Sequence, residues 1–329
     1  MKRPPALKFL VVVLLSLLAV VLVVKFTDRD AVTDEDAASS SIAPDEQATI
    51  DALQASLPIE YKTDGSGQVV LLAAGGPELS DSVVAEIAQL TSLRDVQLEE
   101  CVLGKEGIEA IASLPQLESL RLERMTLPED ALSALAKTSQ LKHLFLAEST
   151  IRDEALPTIG QLTGLNLLDL RQTAVTDEGL QALSGMNDLK RLYLADTSVS
   201  GAGFSGFAES HGLKLLNLSG CPISADGVNE LARFTELESL YLDRVEFNDE
   251  LLSRLMDVIT QSNLELQGLF LSECSLTDSA IEPLKALAKL PNLSQVGLNN
   301  SQISKAAFRE LAKETPETRY LVDYNPGED

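Results

Sequence analysis

Beginning at residue 93, a short leucine motif recurs every 24 residues, and this period restricts the chain more than any other feature. A strand opens at Leu93, Leu117, Leu141, Leu165, Leu189, Leu213 and Leu237. Val69 lies one period earlier and begins a degenerate copy, while Leu266 and Leu293 follow after longer steps of 29 and 27 residues. Residues 165–188 (LNLLDLRQTAVTDEGLQALSGMND) show the unit most plainly. Leu168 and Leu170 alternate at period two, as a short strand requires, and Leu180, Leu183 and Met186 recur at the spacing of a helical stripe. Thr176 or Asp177 stands where an N-cap is expected. A strand and a helix in so few residues cannot bury their apolar faces alone. Stacked copies can, so repetition itself supplies the core.

The pattern L-x-x-L-x-L-x-x-[CT]-x-[IV]-T-D-x-G-L resembles the leucine-rich repeat family, and most of all its cysteine-containing, ribonuclease-inhibitor-like branch. It also resembles bacterial membrane-anchored repeat proteins. The resemblance covers residues 69–317. It implies an α/β solenoid that is curved, with parallel strands on the concave face and helices on the convex face. It further implies protein binding as the usual role, and no catalytic residues.

The remaining segments are read from composition. Residues 1–26 hold Lys2, Arg3, Lys8 and Lys25 and no acid, and residues 9–24 are apolar except for Ser16. Sixteen residues span roughly 24 Å as a helix, short of a ~30 Å hydrocarbon core, with Phe26 and snorkelling lysines to extend them. The segment is expected to be a retained single-pass transmembrane signal anchor, with the repeats outside the cytoplasm. A cleaved signal peptide, giving a secreted protein, is the alternative. Residues 27–43 are acidic and small and lack apolar periodicity, as in a disordered linker. Residues 44–68 are expected to form an N-terminal cap of helix plus hairpin that closes the first solenoid edge. Residues 318–329 are expected to give a last strand and a polar tail.

Charge excludes some partners. Beyond residue 26 there are 22 basic against 50 acidic residues, a net of −28. Such a surface repels nucleic acid and anionic lipid. Positions two, three, five, seven and eight of each unit point away from the core, and over nine copies they hold nine basic and eleven acidic residues. The face they make is nearly balanced, so the acid excess lies on the back, the ends and the linker.

The middle outward position runs Gln97, Arg121, Phe145, Asp169, Tyr193, Asn217, Tyr241, Phe270, Gly297. Four of nine are aromatic in a chain only 4% aromatic, and aromatic and arginine side chains are the usual anchors of protein interfaces. The expected partner-binding residues are therefore Arg121, Phe145, Asp169, Arg171, Tyr193, Arg191, Asn217, Tyr241, Arg244 and Phe270. An outward aromatic also suits any β surface, so a face without a ligand is the competing reading. Phe204, Phe207, Phe234, Phe247 and Phe308 fall at inward positions and are expected in the core.

Other chemistry finds little support. Cys101, Cys221 and Cys274 all occupy the ninth position of their units, which turns inward in the family. At ~4.8 Å per layer they lie roughly 10 Å or more apart, too far for a disulfide, so free buried thiols are expected. The only histidines, His143 and His211, are not at ligand spacing, and no metal or cofactor site is expected. No nucleophile elbow, phosphate loop or zinc pattern occurs. Asp177, Asp226 and Asp278 recur near helix starts and are expected to cap them. Asn217, Asn292 and Asn299 begin weak glycosylation matches. The function expected is a non-enzymatic scaffold outside the cytoplasmic membrane that holds a protein of unknown identity on its concave face. The alternatives are a structural cell-envelope spacer and an enzyme without a recognisable motif.

Overall fold

A computed structural model describes residues 42–128, 130–208, 211–262 and 264–323. The expected membrane anchor at 1–26, nearly all of the linker, and the tail beyond 323 lie outside the described residues. Among the described residues no helix is long and apolar enough to cross a membrane.

The period of 24 becomes the register of a sheet. Twelve strands lie side by side in chain order. β1 (Ile59–Thr63) pairs antiparallel with β2 (Val69–Gly75). From β2 onward every pairing is parallel: β3 (Asp95–Glu99), β4 (Ser119–Glu123), β5 (His143–Phe145), β6 (Leu167–Asp169), β7 (Arg191–Tyr193), β8 (Leu215–Asn217), β9 (Ser239–Tyr241), β10 (Gly268–Phe270), β11 (Gln295–Gly297) and β12 (Arg319–Leu321). Leu120 faces Leu144, which faces Leu168, then Leu192, Leu216 and Leu240. The longer steps leave the register intact, with Leu240 opposite Leu269 and Leu269 opposite Val296. The extra residues therefore fall outside the sheet.

Those of the first longer step lengthen one helix. The sheet's apolar face is covered by α1 (Pro44–Ser56), α2 (Asp81–Ile87), α3 (Lys105–Ala112), α4 (Leu156–Ile159), α5 (Asp177–Leu180), α6 (Ala225–Glu230), α7 (Asp249–Gln261), α8 (Ile281–Leu284) and α9 (Lys305–Glu314). The 13-residue α7 takes up the insertion and buries Leu252, Leu255, Met256 and Ile259. The expectation of one helix per unit needs correction. Residues Ala131–Lys137 and Ala202–Gly206 form 3-10 helix alone, and α4, α5, α6 and α8 are single turns flanked by 3-10 segments. Each unit has little length left after its strand and two turns, and the tighter 3-10 winding suits such short pieces.

One continuous core runs through the stack. The first, fourth and sixth positions of the unit at 165 (Leu165, Leu168, Leu170) are fully buried, as are Leu180, Leu183 and Met186. Phe204, Phe207, Phe234 and Phe308 are buried, whereas Phe247 is only half-buried and rests on the core margin. Phe204 meets Phe207 and Phe234 edge-on, filling the layer whose helix has shrunk to 3-10 turns.

The ninth position explains its own chemistry. Cys101, Cys221 and Cys274 are buried and free. Ser149 donates to the carbonyl of Leu122 at 2.7 Å, Thr173 to Leu170 at 2.6 Å, Thr197 to Leu194 at 2.7 Å and Cys274 to Leu242 at 3.1 Å. A small donor there adds a hydrogen bond to a strand-end carbonyl, and serine, threonine or cysteine serves, whereas Met125 and Val245 fill the same buried place without one. One residue earlier the chain turns left-handed in every unit, with φ from 53° to 60° at Glu100, Arg124, Glu148, Gln172, Asp196, Arg244, Glu273 and Asn300, and 70° at Gly220.

The repeated aspartates do not act as expected. Asp177 does not cap its own helix, because Thr176 does. Its carboxylate reaches the next unit and accepts hydrogen bonds from the backbone N–H of Ser200 (3.0 Å), Gly201 (3.1 Å) and Gly203 (2.9 Å) and from the Ser200 hydroxyl (2.6 Å). Asp153 does the same to Thr176, Asp278 to Ser304, and Asp81 to the N–H of Gly104. Asp226 makes no such bond among the described residues. These carboxylates stitch neighbouring units together. Glycine on the facing turn leaves room for two of them: a Cβ on Gly179 would sit 2.3 Å from Asp153 Oδ1, and one on Gly107 2.4 Å from Asp81 Oδ1, so the carboxylate would have to shift.

Candidate functional site

The sheet face away from the core collects the fifth and seventh positions of every unit, side by side. It is less open than its sequence suggests. Arg121 is 4% and Asp169 only 1% exposed, and Gln97, Glu99 and Glu123 are also buried. Strands ~4.8 Å apart place long side chains flank to flank, where they shield one another.

The half of the face built on β3, β4 and β5 is knitted by ion pairs. Arg121 pairs with Glu123, and Arg124 bonds Glu99 and, at 3.0 Å, Glu100. The Arg121 guanidinium also lies 4.0 Å from the centroid of the Phe145 ring, so this aromatic is already covered on one face. Burial pushes the Glu99 carboxyl above its ordinary range against the pull of Arg124, and burial likewise raises Asp95.

Beyond β6 the character changes. Asp169 grips Arg171 through both carboxylate oxygens, the Arg171 Nε lying 2.9 and 3.0 Å from them and a terminal nitrogen 2.6 Å away. The Arg171 head stays partly in solvent and stands 5.8 Å from the Tyr193 ring. Tyr193, Asn217, Tyr241 and Phe270 follow on β7 to β10, all half-buried. Tyr241 and Phe270 stack face to face, 4.3 Å between centroids and 6° apart in plane. Asn217 Oδ1 accepts from the N–H of Ser219 at 3.0 Å, which orients the amide between Tyr193 and Tyr241. Burial pushes the Tyr193 hydroxyl up to about 12 and raises that of Tyr241, so both stay protonated at neutral pH.

At the rim, Arg244 reaches across two units to Asp196, with one guanidinium nitrogen 2.9 and 2.8 Å from the two carboxylate oxygens. Gly220 lies beneath this bridge, and a Cβ there would sit 2.1 Å from Asp196 Oδ1. Asp243 accepts from the N–H of Ser272 at 2.7 Å, and burial raises its carboxyl. Arg191 is half-buried on β7.

Tyr193, Asn217, Tyr241 and Phe270 thus form one row, with Arg191 on the same strand as Tyr193. Arg121 and Phe145 stand apart, and Asp169 is engaged by Arg171. Sequence reading counted Glu99, Glu123 and Asp196 as charges only. Their signal was the offset: Arg121 with Glu123 and Asp169 with Arg171 are two apart on one strand face, and Arg244 with Asp196 is two periods apart. Among the described residues no group of three or more His, Cys, Asp or Glu is placed to hold a metal.

A leucine-rich repeat family model matches residues 89–112, 163–184 and 210–232. Those matches begin two to four residues before Leu93, Leu165 and Leu213, where units of the stack start. The chain is a leucine-rich repeat protein. Among solved structures, this leucine-rich repeat chain is similar to an internalin from Listeria monocytogenes, at 15% identity, 86% of this chain, 96% of that one and a TM-score of 0.47. No curated protein matches the repeat chain.

Proposed function

We propose that this leucine-rich repeat protein is a non-enzymatic binding scaffold whose ligand is a protein. The ligand lies across the open sheet face at Tyr193, Asn217, Tyr241 and Phe270, flanked by Arg171, Arg191 and Arg244. In the same reading the N-terminal apolar segment tethers the repeats to the outer side of the cytoplasmic membrane, and the repeats follow the pattern of the cysteine-containing branch. The observation that carries the reading is the row of half-buried aromatics along successive strands, two of them stacked and so ordered before any ligand arrives. Ordered aromatics lose little entropy on binding and dominate interface energetics. The net charge of −24 for the whole chain argues against nucleic acid as the ligand.

The test is capture of a binding protein from native membranes with full-length protein, wild type against a Tyr193→Ala/Tyr241→Ala variant. Both variant and wild type are first compared by circular dichroism and melting. Loss of a specific captured protein at unchanged fold is the expected result. Equal capture by both proteins places the ligand elsewhere.

A further inference from the structure

We infer that the β1 edge of the sheet is a self-complementary interface on which a second copy of this chain pairs antiparallel, about a two-fold axis at Tyr61. β1 is the end of the twelve-strand order, with β2 as its single strand neighbour among the described residues. At five residues it is also longer than β12, the three-residue strand at the opposite end. An antiparallel partner centred on Tyr61 places Tyr61 against Tyr61, Ile59 against Thr63, and Glu60 against Lys62 twice over. The register thus matches opposite charges on one face.

Glu60 and Lys62 flank this centre on the open face, opposite Ala73 and Leu71 of β2. Neither side chain makes a hydrogen bond or ion pair with another described residue, apart from the attraction of Lys62 for Asp95. On the other face, Ile59 and Tyr61 rest on the core yet stay half-exposed, since no further layer covers them. A second copy would continue the core across the axis. α1, which closes this end, turns Ile50 and Leu53 inward and exposes Ala48, Ala52 and Ala55 together with Asp45, Asp51 and Gln54. An isologous contact of this kind closes at two copies, whereas β1 against β12 would build an open filament.

The experiment uses the full chain in detergent, with mass followed by analytical ultracentrifugation. The expected species is a dimer of twice 35.4 kDa. Lys62→Glu sets Glu60 against a like charge at two sites and should weaken the dimer roughly ten-fold or more. Glu60→Lys/Lys62→Glu restores the opposite-charge pairs and should restore the dimer. Tyr61→Cys should form a disulfide between copies under mild oxidation, because directly opposed residues in an antiparallel pair lie ~4.5–5.5 Å apart. Glu60→Cys should not. A monomer at all concentrations, a species larger than two, a charge swap that fails to rescue, or equal cross-linking by the two cysteine variants would each overturn the proposal.

Discussion

Removing the Asp177 carboxylate tests how one unit is joined to the next. It accepts four hydrogen bonds from the following unit, three from backbone N–H groups at 2.9–3.1 Å and one from the Ser200 hydroxyl at 2.6 Å. A hydrogen bond to a charged group contributes about 1.5–3 kcal/mol, and a neutral one about 1. Asp177 is half-buried, so some of the freed donors regain water in Asp177→Ala. A loss of about 3 kcal/mol follows, half or less of the unmitigated sum. An asparagine side chain at this position could accept through one oxygen only, so Asp177→Asn should lose about half as much.

The assay is chemical denaturation followed by far-ultraviolet circular dichroism, with exposed Glu178→Ala as the control. In a repeat array the interface between neighbours is itself a stability term, so the variant should also broaden the transition or split it into two steps. A denaturation curve for Asp177→Ala that overlays those of wild type and Glu178→Ala would refute the reasoning, and with it the account of why T-D-x-G-L recurs.

Gly220→Ala combines a left-handed φ of 70° with a Cβ 2.1 Å from Asp196 Oδ1, so it should cost about 1–3 kcal/mol in denaturation and release Arg244 from Asp196. Burial raises the Cys221 thiol and pushes those of Cys101 and Cys274 up to about 12. At pH 8 Cys101 and Cys274 should react with a colorimetric thiol reagent roughly a thousand-fold more slowly in the native protein than in denaturant, and Cys221 also more slowly, whereas in denaturant all three titrate at once. His211 is buried against Phe207 and Phe234, and burial lowers its pKa below the unfolded value of 6.5. A lowered folded pKa means that its share of stability is complete above pH 6.5 and is lost as pH falls from there through the folded pKa. His211→Phe should remove that acid-side loss, as read by urea midpoints at about pH 7.5, 6.5 and 5.5.

The stacking of the fold was legible because the leucines at the first, fourth and sixth positions repeat at a fixed period, and the strand register repeats that period residue for residue. The winding of the back was not. Leu132 and Leu135 lie in a 3-10 helix at the spacing an α-helix would use, and an apolar step of three fits both. The aspartates misled for a related reason. A residue at a helix start with a carboxylate suits a cap, and of the two candidates at this start Thr176 takes that role, while only the stacked neighbour shows Asp177 reaching outward. For the open face, sequence placed Arg121 and Asp169 on the correct side of the sheet. The two-residue offset to Glu123 and Arg171 allows these ion pairs, but it does not show that the partners fold over Arg121 and Asp169 and withdraw them from solvent.

This burial divides the expected site residues into two kinds, and alanine substitutions should separate them. Phe145 carries the Arg121 guanidinium at 4.0 Å, and Arg121 in turn holds Glu123, so truncating Phe145 loosens a buried charged group. Its first effect is on stability, by about 1–2 kcal/mol for a desolvated cation–π contact plus lost packing. Tyr241 and Phe270 lean on one another over Gly268 and Gly297, with no charge depending on them. Truncating Tyr241 leaves the ion pairs intact, so its effect on folding should be smaller than that of Phe145→Ala, and any large effect should appear in ligand capture. If Phe145→Ala lost the ligand at unchanged stability while Tyr241→Ala melted the protein, the division between an internally satisfied half and a ligand-facing half would be the wrong way round.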